Sequence, residues 1–196
     1  NLYEHQSSYN PNMPLRDLVY IAKQLEKYTR NDTIYSSALV KIPVPRFVVF
    51  YNGTDVQPDR QTLRLSDAFE KKTAEPELEL KVIMLNINWG HNRELMEKCR
   101  KLSEYAQFVD QIRQYLAGGL DRESAVSAAV ESCIKSGILK DLLIQHKAEV
   151  LDMLLTEYNE ELDRKELFEL GREEGLTEGL SKGRSEGLTE GHMEGI

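Results

Sequence analysis

Glu4 and Gln6, in the opening stretch Leu2-Tyr3-Glu4-His5-Gln6-Ser7-Ser8, are the residues with the clearest capacity for chemistry. On a strand, side chains alternate between faces, so Glu4 and Gln6 share one face and Tyr3 and His5 take the other. A carboxylate beside an amide at a strand end offers hard oxygen donors for a divalent cation and a group that orients a bound water. Glu-x-Gln is also an ordinary pattern for a solvated strand face, so the context has to decide. The next segment presents Arg16 and Tyr20 one helical turn apart, with Lys23 and Lys27 continuing the same side. If that side faces the strand end, cations stand beside a phosphate whose metal Glu4 holds.

The remaining chemistry-bearing residues form no local set. His5, His91, His146 and His192 are scattered, and His5 is expected to be structural or exposed. There is no Gly-rich phosphate loop at a strand–helix turn, no His/Cys group with zinc spacing and no nucleophile-elbow serine. Trp89, Tyr105 and Phe108 are expected to pack in a core or between helices rather than to form a base-stacking platform. Cys99 and Cys133 both fall on helical apolar stripes and read as buried free thiols, which points weakly to a cytoplasmic location.

The elements that must position Glu4 and Gln6 are legible in outline. Tyr9 to Pro14 is turn chemistry, with Pro14 suited to the first position of a helix. Leu15, Leu18, Val19, Ala22 and Leu25 then recur at helical spacing to about Tyr28. Arg46 to Tyr51 is nearly all apolar, as in a strand buried on both faces, and Asn52-Gly53 closes it with a turn signal. Residues 54–76 read as a loop-rich connection with a short helix at 66–71, and 78–88 alternates as a third strand. Asn92 should cap a helix striped by Leu95, Met96, Cys99, Leu102, Ala106, Val109, Ile112 and Leu116, ended by Gly118-Gly119. Asp121 caps the next, which runs to about Lys135, and a third runs from Ile138 towards Glu161. The order predicts an α/β core followed by a helical C-terminal region.

Glycine then falls at every fourth position from Gly171 to Gly195, among Glu, Lys, Arg and Leu. Each Gly costs roughly 1 kcal/mol of helix propensity against Ala. The segment is therefore either a disordered acidic tail or a helix that orders on self-association.

At 196 residues the chain holds one domain or one domain with an extension. No apolar run approaches the roughly 20 residues of a membrane span. The net charge of −8 argues against nucleic acid only until its distribution is seen. Residues 1–51 carry six Lys/Arg against four Asp/Glu, a net of +2, whereas residues 147–196 carry six against fourteen, a net of −8. Local potential, not the whole-chain sum, attracts phosphate.

Three stretches together resemble a known family: 2–8, then Met13-Pro14-Leu15-Arg16-Asp17-Leu18 with Tyr20, then Pro45 to Gly53. The chain resembles the recombination-promoting nuclease and transposase family, within the PD-(D/E)XK nuclease superfamily. Asn92 to Cys99 and the Gly/Glu-rich tail look like its members too. The resemblance implies a partial PD-(D/E)XK-like mixed sheet flanked by helices over residues 1–90, a helical region over 91–170 and the tail over 171–196. It also implies Mg²⁺-dependent (or Mn²⁺-dependent) hydrolysis of DNA in recombination or transposition. Glu4 then takes the place of the metal carboxylate, and Gln6 that of the residue that orients the attacking water. Arg16 and Tyr20 become candidate substrate contacts. A metal-binding Asp is expected on a preceding strand, upstream of these residues, so the chain is expected to be the C-terminal part of a longer protein and to hold an incomplete site. DNA is the expected partner, with a homo-oligomer formed through the helical C-terminal region. The rival is a non-catalytic, nuclease-like binding or self-association protein.

Overall fold

The structure, a computed structural model, describes residues 1–30 and 34–152 and short helical pieces at 172–173, 175–177 and 179–180. Contacts along the chain divide it into two units, Asn1–Gln145 and His146–Ile196. In the second unit residues 147–152 are helical, and the Val150 amide donates to the His146 carbonyl at 2.9 Å. The glycine repeat lies mostly outside the described residues.

The first unit is a four-stranded mixed sheet covered by helices. Its elements are β1 (Leu2–Gln6), α1 (Met13–Tyr28), β2 (Phe47–Tyr51), β3 (Arg60–Arg64), a 3₁₀ turn (Leu65–Ala68) and β4 (Lys81–Asn86). The helices α2 (Arg93–Lys98), α3 (Arg100–Ala117), α4 (Arg122–Ser136) and α5 (Lys140–Gln145) follow. The strand order is β1-β2-β4-β3, with β1, β2 and β4 parallel and β3 antiparallel to β4. The helix α1 makes the crossover that two adjacent parallel strands require.

Alternation sorts the side chains into two cores. Met13 of α1 packs with Phe47, Val49, Tyr51, Leu63, Val82 and Met84, and Leu18 and Ile21 join from the same helix. Glu4 pairs in register with Val49, and Val49 with Met84, so Glu4 and Gln6 belong to this α1-covered face. Phe50 faces the other way, towards Ile87, Met96, Leu102, Tyr105 and Ala106. Tyr3 stacks on Phe50 there, with ring centroids 6.0 Å apart. Because β1 sits at the edge, its residues are only half covered while the inner strands are buried.

Local chemistry explains most boundaries. Pro14 occupies the first turn of α1, where its missing N–H is not needed, and the Thr29 amide closes the helix on the Leu25 carbonyl at 2.9 Å. Asp121 caps α4 by accepting from the Ser124 amide at 3.0 Å, and Gly137 ends it at φ 78°, a backbone state that favours glycine.

Several expectations are corrected. The single helix expected from Ile138 towards Glu161 is interrupted at His146, after α5, and its part beyond residue 152 lies outside the described residues. The connection 54–76 contains a strand, β3, whose sequence Arg-Gln-Thr-Leu-Arg carries too little apolar alternation to announce itself. The short helix expected at 66–71 is the 3₁₀ turn Leu65–Ala68. The helix expected from Asn92 to Leu116 is two helices, broken where Cys99 leaves helical geometry at φ −129°, ψ 86°, and that break leaves Cys99 exposed rather than buried. Asn92 does not cap with its side chain; at φ 44° it turns back and donates to the carbonyls of Asp59 and of Asn86. Cys133 is buried as expected, and burial pushes its thiol up to about 11.

Candidate active site

The structure brings Glu4, Gln6, Arg16 and Tyr20 into one cluster at the edge of the sheet. The Gln6 amide nitrogen donates to Glu4 Oε2 at 3.1 Å, and the Arg16 guanidinium lies 3.5 Å from the same oxygen. Arg16 also donates to the Tyr20 hydroxyl, one turn along α1. That bond, and secondarily the charge of Glu4, hold the Arg16 pKa above its ordinary value against the opposing effect of burial. The guanidinium therefore remains positively charged beside Glu4. The Glu4 side chain keeps 20% of its exposure, so the cluster opens to water at the edge of the sheet.

Asp17 belongs to the same neighbourhood. It is 2% exposed, and its Oδ1 has no hydrogen-bond partner among the described residues. Desolvation pushes its carboxyl up to about 6, the Glu4 charge pushes in the same direction, and the Arg16 charge opposes both. Sequence reasoning passed over it, although a signal was present. Met13, Asp17 and Ile21 recur every fourth residue, so an acid stands on the apolar stripe of α1. The Oε1 of Gln61 is a second buried acceptor without a partner among the described residues, on the strand beyond β4 in the row of Glu4, Val49 and Met84.

Beyond the cluster, Tyr20, Lys23, Lys27 and Tyr28 line an open groove with Pro43 and Pro45. Both lysines are exposed. His5 points to the opposite face, as expected, where its Nε2 lies 3.2 Å from the Tyr105 hydroxyl and the two rings meet edge to face. Phe108 is buried and Trp89 is half exposed.

A second polar network, unforeseen from the sequence, braces the ends of β2 and β4. Arg113 of α3 donates to Asn88 Oδ1 at 2.6 Å and to the Asn52 carbonyl. The Asn88 amide donates to the Gly53 carbonyl at 3.0 Å and to Asn86 Oδ1 at 2.9 Å. The Asn52 amide donates to the Tyr105 hydroxyl at 3.1 Å. Gly53 is required at this junction, since a Cβ there would collide with the Ser7 carbonyl and the Tyr51 hydroxyl. The loop that follows Gln6 is thereby pressed onto the end of β2.

Among the described residues no group of three or more His, Cys, Asp or Glu side chains is assembled for a metal. The donor chemistry at the end of β1 nonetheless fits a hard divalent cation, because a carboxylate and an amide share one face there. Turned about its last torsion, the Gln6 amide presents oxygen with the same shape. No described helix is long and apolar enough to cross a membrane.

Comparison with family models, with curated proteins and with solved structures returned no match to the chain.

Proposed function

We propose that the Glu4–Gln6 end of β1 is the working site of a metal-dependent DNA endonuclease that hydrolyses phosphodiester bonds in recombination or transposition. The observation that carries this reading is the convergence on one carboxylate oxygen of a neighbouring amide at 3.1 Å and a guanidinium at 3.5 Å. Glu4 would hold Mg²⁺ or Mn²⁺, which supplies Lewis-acid charge against the phosphate and acidifies water. The Gln6 amide orients that water, both because it can accept from it and because its position is set by Glu4. Arg16 meets a non-bridging phosphate oxygen with a charge-assisted hydrogen bond, and Tyr20 keeps the guanidinium aimed. Lys23 and Lys27 attract the backbone along α1, consistent with the positive balance of residues 1–51.

Plasmid cleavage by the purified protein in Mg²⁺, in Mn²⁺ and in EDTA tests the reading. Cutting should need the cation, vanish in Glu4→Ala and fall roughly a hundredfold in Gln6→Ala, the scale seen when a group acting in the transition state is lost. Undiminished cutting by Glu4→Ala would remove Glu4 from the chemistry. One feature favours a second reading, a non-catalytic nuclease-like protein that binds DNA or itself. A carboxylate 3.5 Å from a guanidinium is partly neutralised already. That reading predicts DNA retention with no cleavage and no response to EDTA.

A further inference from the structure

We infer that Asp17 is a second protein ligand for the divalent cation, forming with Glu4 and the Gln6 amide oxygen a three-donor site between β1 and α1. The inference rests on the proposal that Glu4 holds a metal, and it adds a residue that neither the strand motif nor its spacing indicates.

Helix geometry sets Asp17 on the sheet side of α1. Met13, four residues earlier on the same stripe, is packed among Phe47, Val49 and Tyr51, the face that Glu4 and Gln6 share. Arg16, its chain neighbour, already reaches the Glu4 carboxylate. Asp17 is thus buried beneath the helix on the side where the cluster lies, with Oδ1 unpartnered among the described residues. A carboxylate withdrawn from water is normally paired or bound to metal. The nearby cation, Arg16, is shared by Glu4 and Tyr20 and is a single charge facing two acids. An asparagine would fill the same volume without that imbalance. Mg²⁺ and Mn²⁺ supply the missing charge, and Mg²⁺ characteristically takes one or two protein carboxylates while keeping several waters. Glu4 and Asp17 supply two.

The test is Mn²⁺ binding, without DNA, followed by the electron paramagnetic resonance signal of the free ion. The wild-type protein should bind one ion. Asp17→Asn and Glu4→Gln should each weaken binding at least tenfold, whereas Glu26→Gln, an exposed acid on the same helix, should leave it unchanged. Thermal unfolding without metal separates ligand loss from misfolding: Asp17→Asn should melt no lower than wild type, because it removes an unpaired buried charge. A measurement on the unaltered chain supports the variants. Fe²⁺ with ascorbate and peroxide should cut the backbone near residue 4 and near residue 17. Wild-type affinity in Asp17→Asn, with affinity lost in Glu4→Gln and cuts confined to residues 4–6, would overturn the role of Asp17 and leave the nuclease reading standing. Absence of Mn²⁺ binding by the wild-type protein would overturn both.

Discussion

Under α3, most polar groups at the ends of β2 and β4 are tied to one another: Arg113 to Asn88 and to the Asn52 carbonyl, Asn88 to Gly53 and Asn86, with Asn52 Oδ1 alone of these left without a partner among the described residues. Under α1, on the other face of the same sheet, the buried carboxylate of Asp17 stands without a partner for one of its oxygens among the described residues. The first arrangement contributes to holding the strands together. The second works against stability, and its cost is understandable where a ligand makes up the difference. Side chains that serve the fold and side chains that serve a site should therefore respond to substitution with opposite sign.

The largest expected effect is at Arg113. Arg113→Ala leaves an amide oxygen and a carbonyl without their charged donor and should cost about 3 kcal/mol. On a chain of this size that lowers the melting temperature by roughly 6–12 °C, while Mn²⁺ affinity measured below the transition stays unchanged. A melting temperature within a degree of wild type would show that Arg113 does not brace the sheet.

Gly53→Ala comes next and couples the two regions. The added Cβ meets the Ser7 carbonyl and the Tyr51 hydroxyl, a crowding that should cost about 2 kcal/mol. It should also reduce plasmid cleavage, because Ser7 is bonded directly to Gln6. Loss of stability with full cleavage would uncouple that junction from the site.

Asp17→Asn should act in the opposite direction. The folded Asp17 titrates at about 6, above its ordinary range, so the fold favours the protonated acid. The wild-type protein escapes the penalty below about pH 4, incurs it progressively between about pH 4 and 6, and carries it in full above. Asn never ionises, so the variant should melt roughly 3–6 °C higher at pH 7 and level with wild type at pH 4. A gain of equal size at both values would assign the effect to packing.

The smallest effect belongs to Asp59, whose carboxylate meets His91 Nδ1 at 2.7 Å and the Asn92 amide at 3.2 Å. The His91 contact, then the Asn92 bond, holds its pKa below the ordinary value, so its contribution is present near neutrality and fades as acid protonates it. Asp59→Ala should lower the melting temperature by about 1–2 °C at pH 7, and by less as the pH falls below 4.

Much of this architecture is written in local pattern. The faces of β1, the apolar run of β2 and the Asp121 cap all follow from alternation and short-range hydrogen bonding, and each stands in the structure. The stripe expected for α1 does not: Leu15, Val19 and Ala22 are exposed, and Met13, Pro14 and Asp17 take the buried side. β3 was hidden because an edge strand with arginines at both ends carries almost no apolar signal. The break at Cys99 was hidden because the apolar stripe runs through it unchanged. Arg113 and Asn52 could not be paired in advance, since only the packing of α3 on the sheet brings them together. Asp17 was obscured because it lies off the stripe that Leu15, Val19 and Ala22 suggested, and only the packing of the Met13 side of α1 on the sheet buries it.

The order β1-β2-β4-β3 puts β1 at a margin of the sheet. A margin of this kind presents alternate backbone amides and carbonyls as a template for a further strand. Any strand that docked there would run alongside Glu4 and Gln6 and set its own side chains beside theirs. Growth of the sheet by one strand would then change the surroundings of the Glu4–Gln6 pair in the same event.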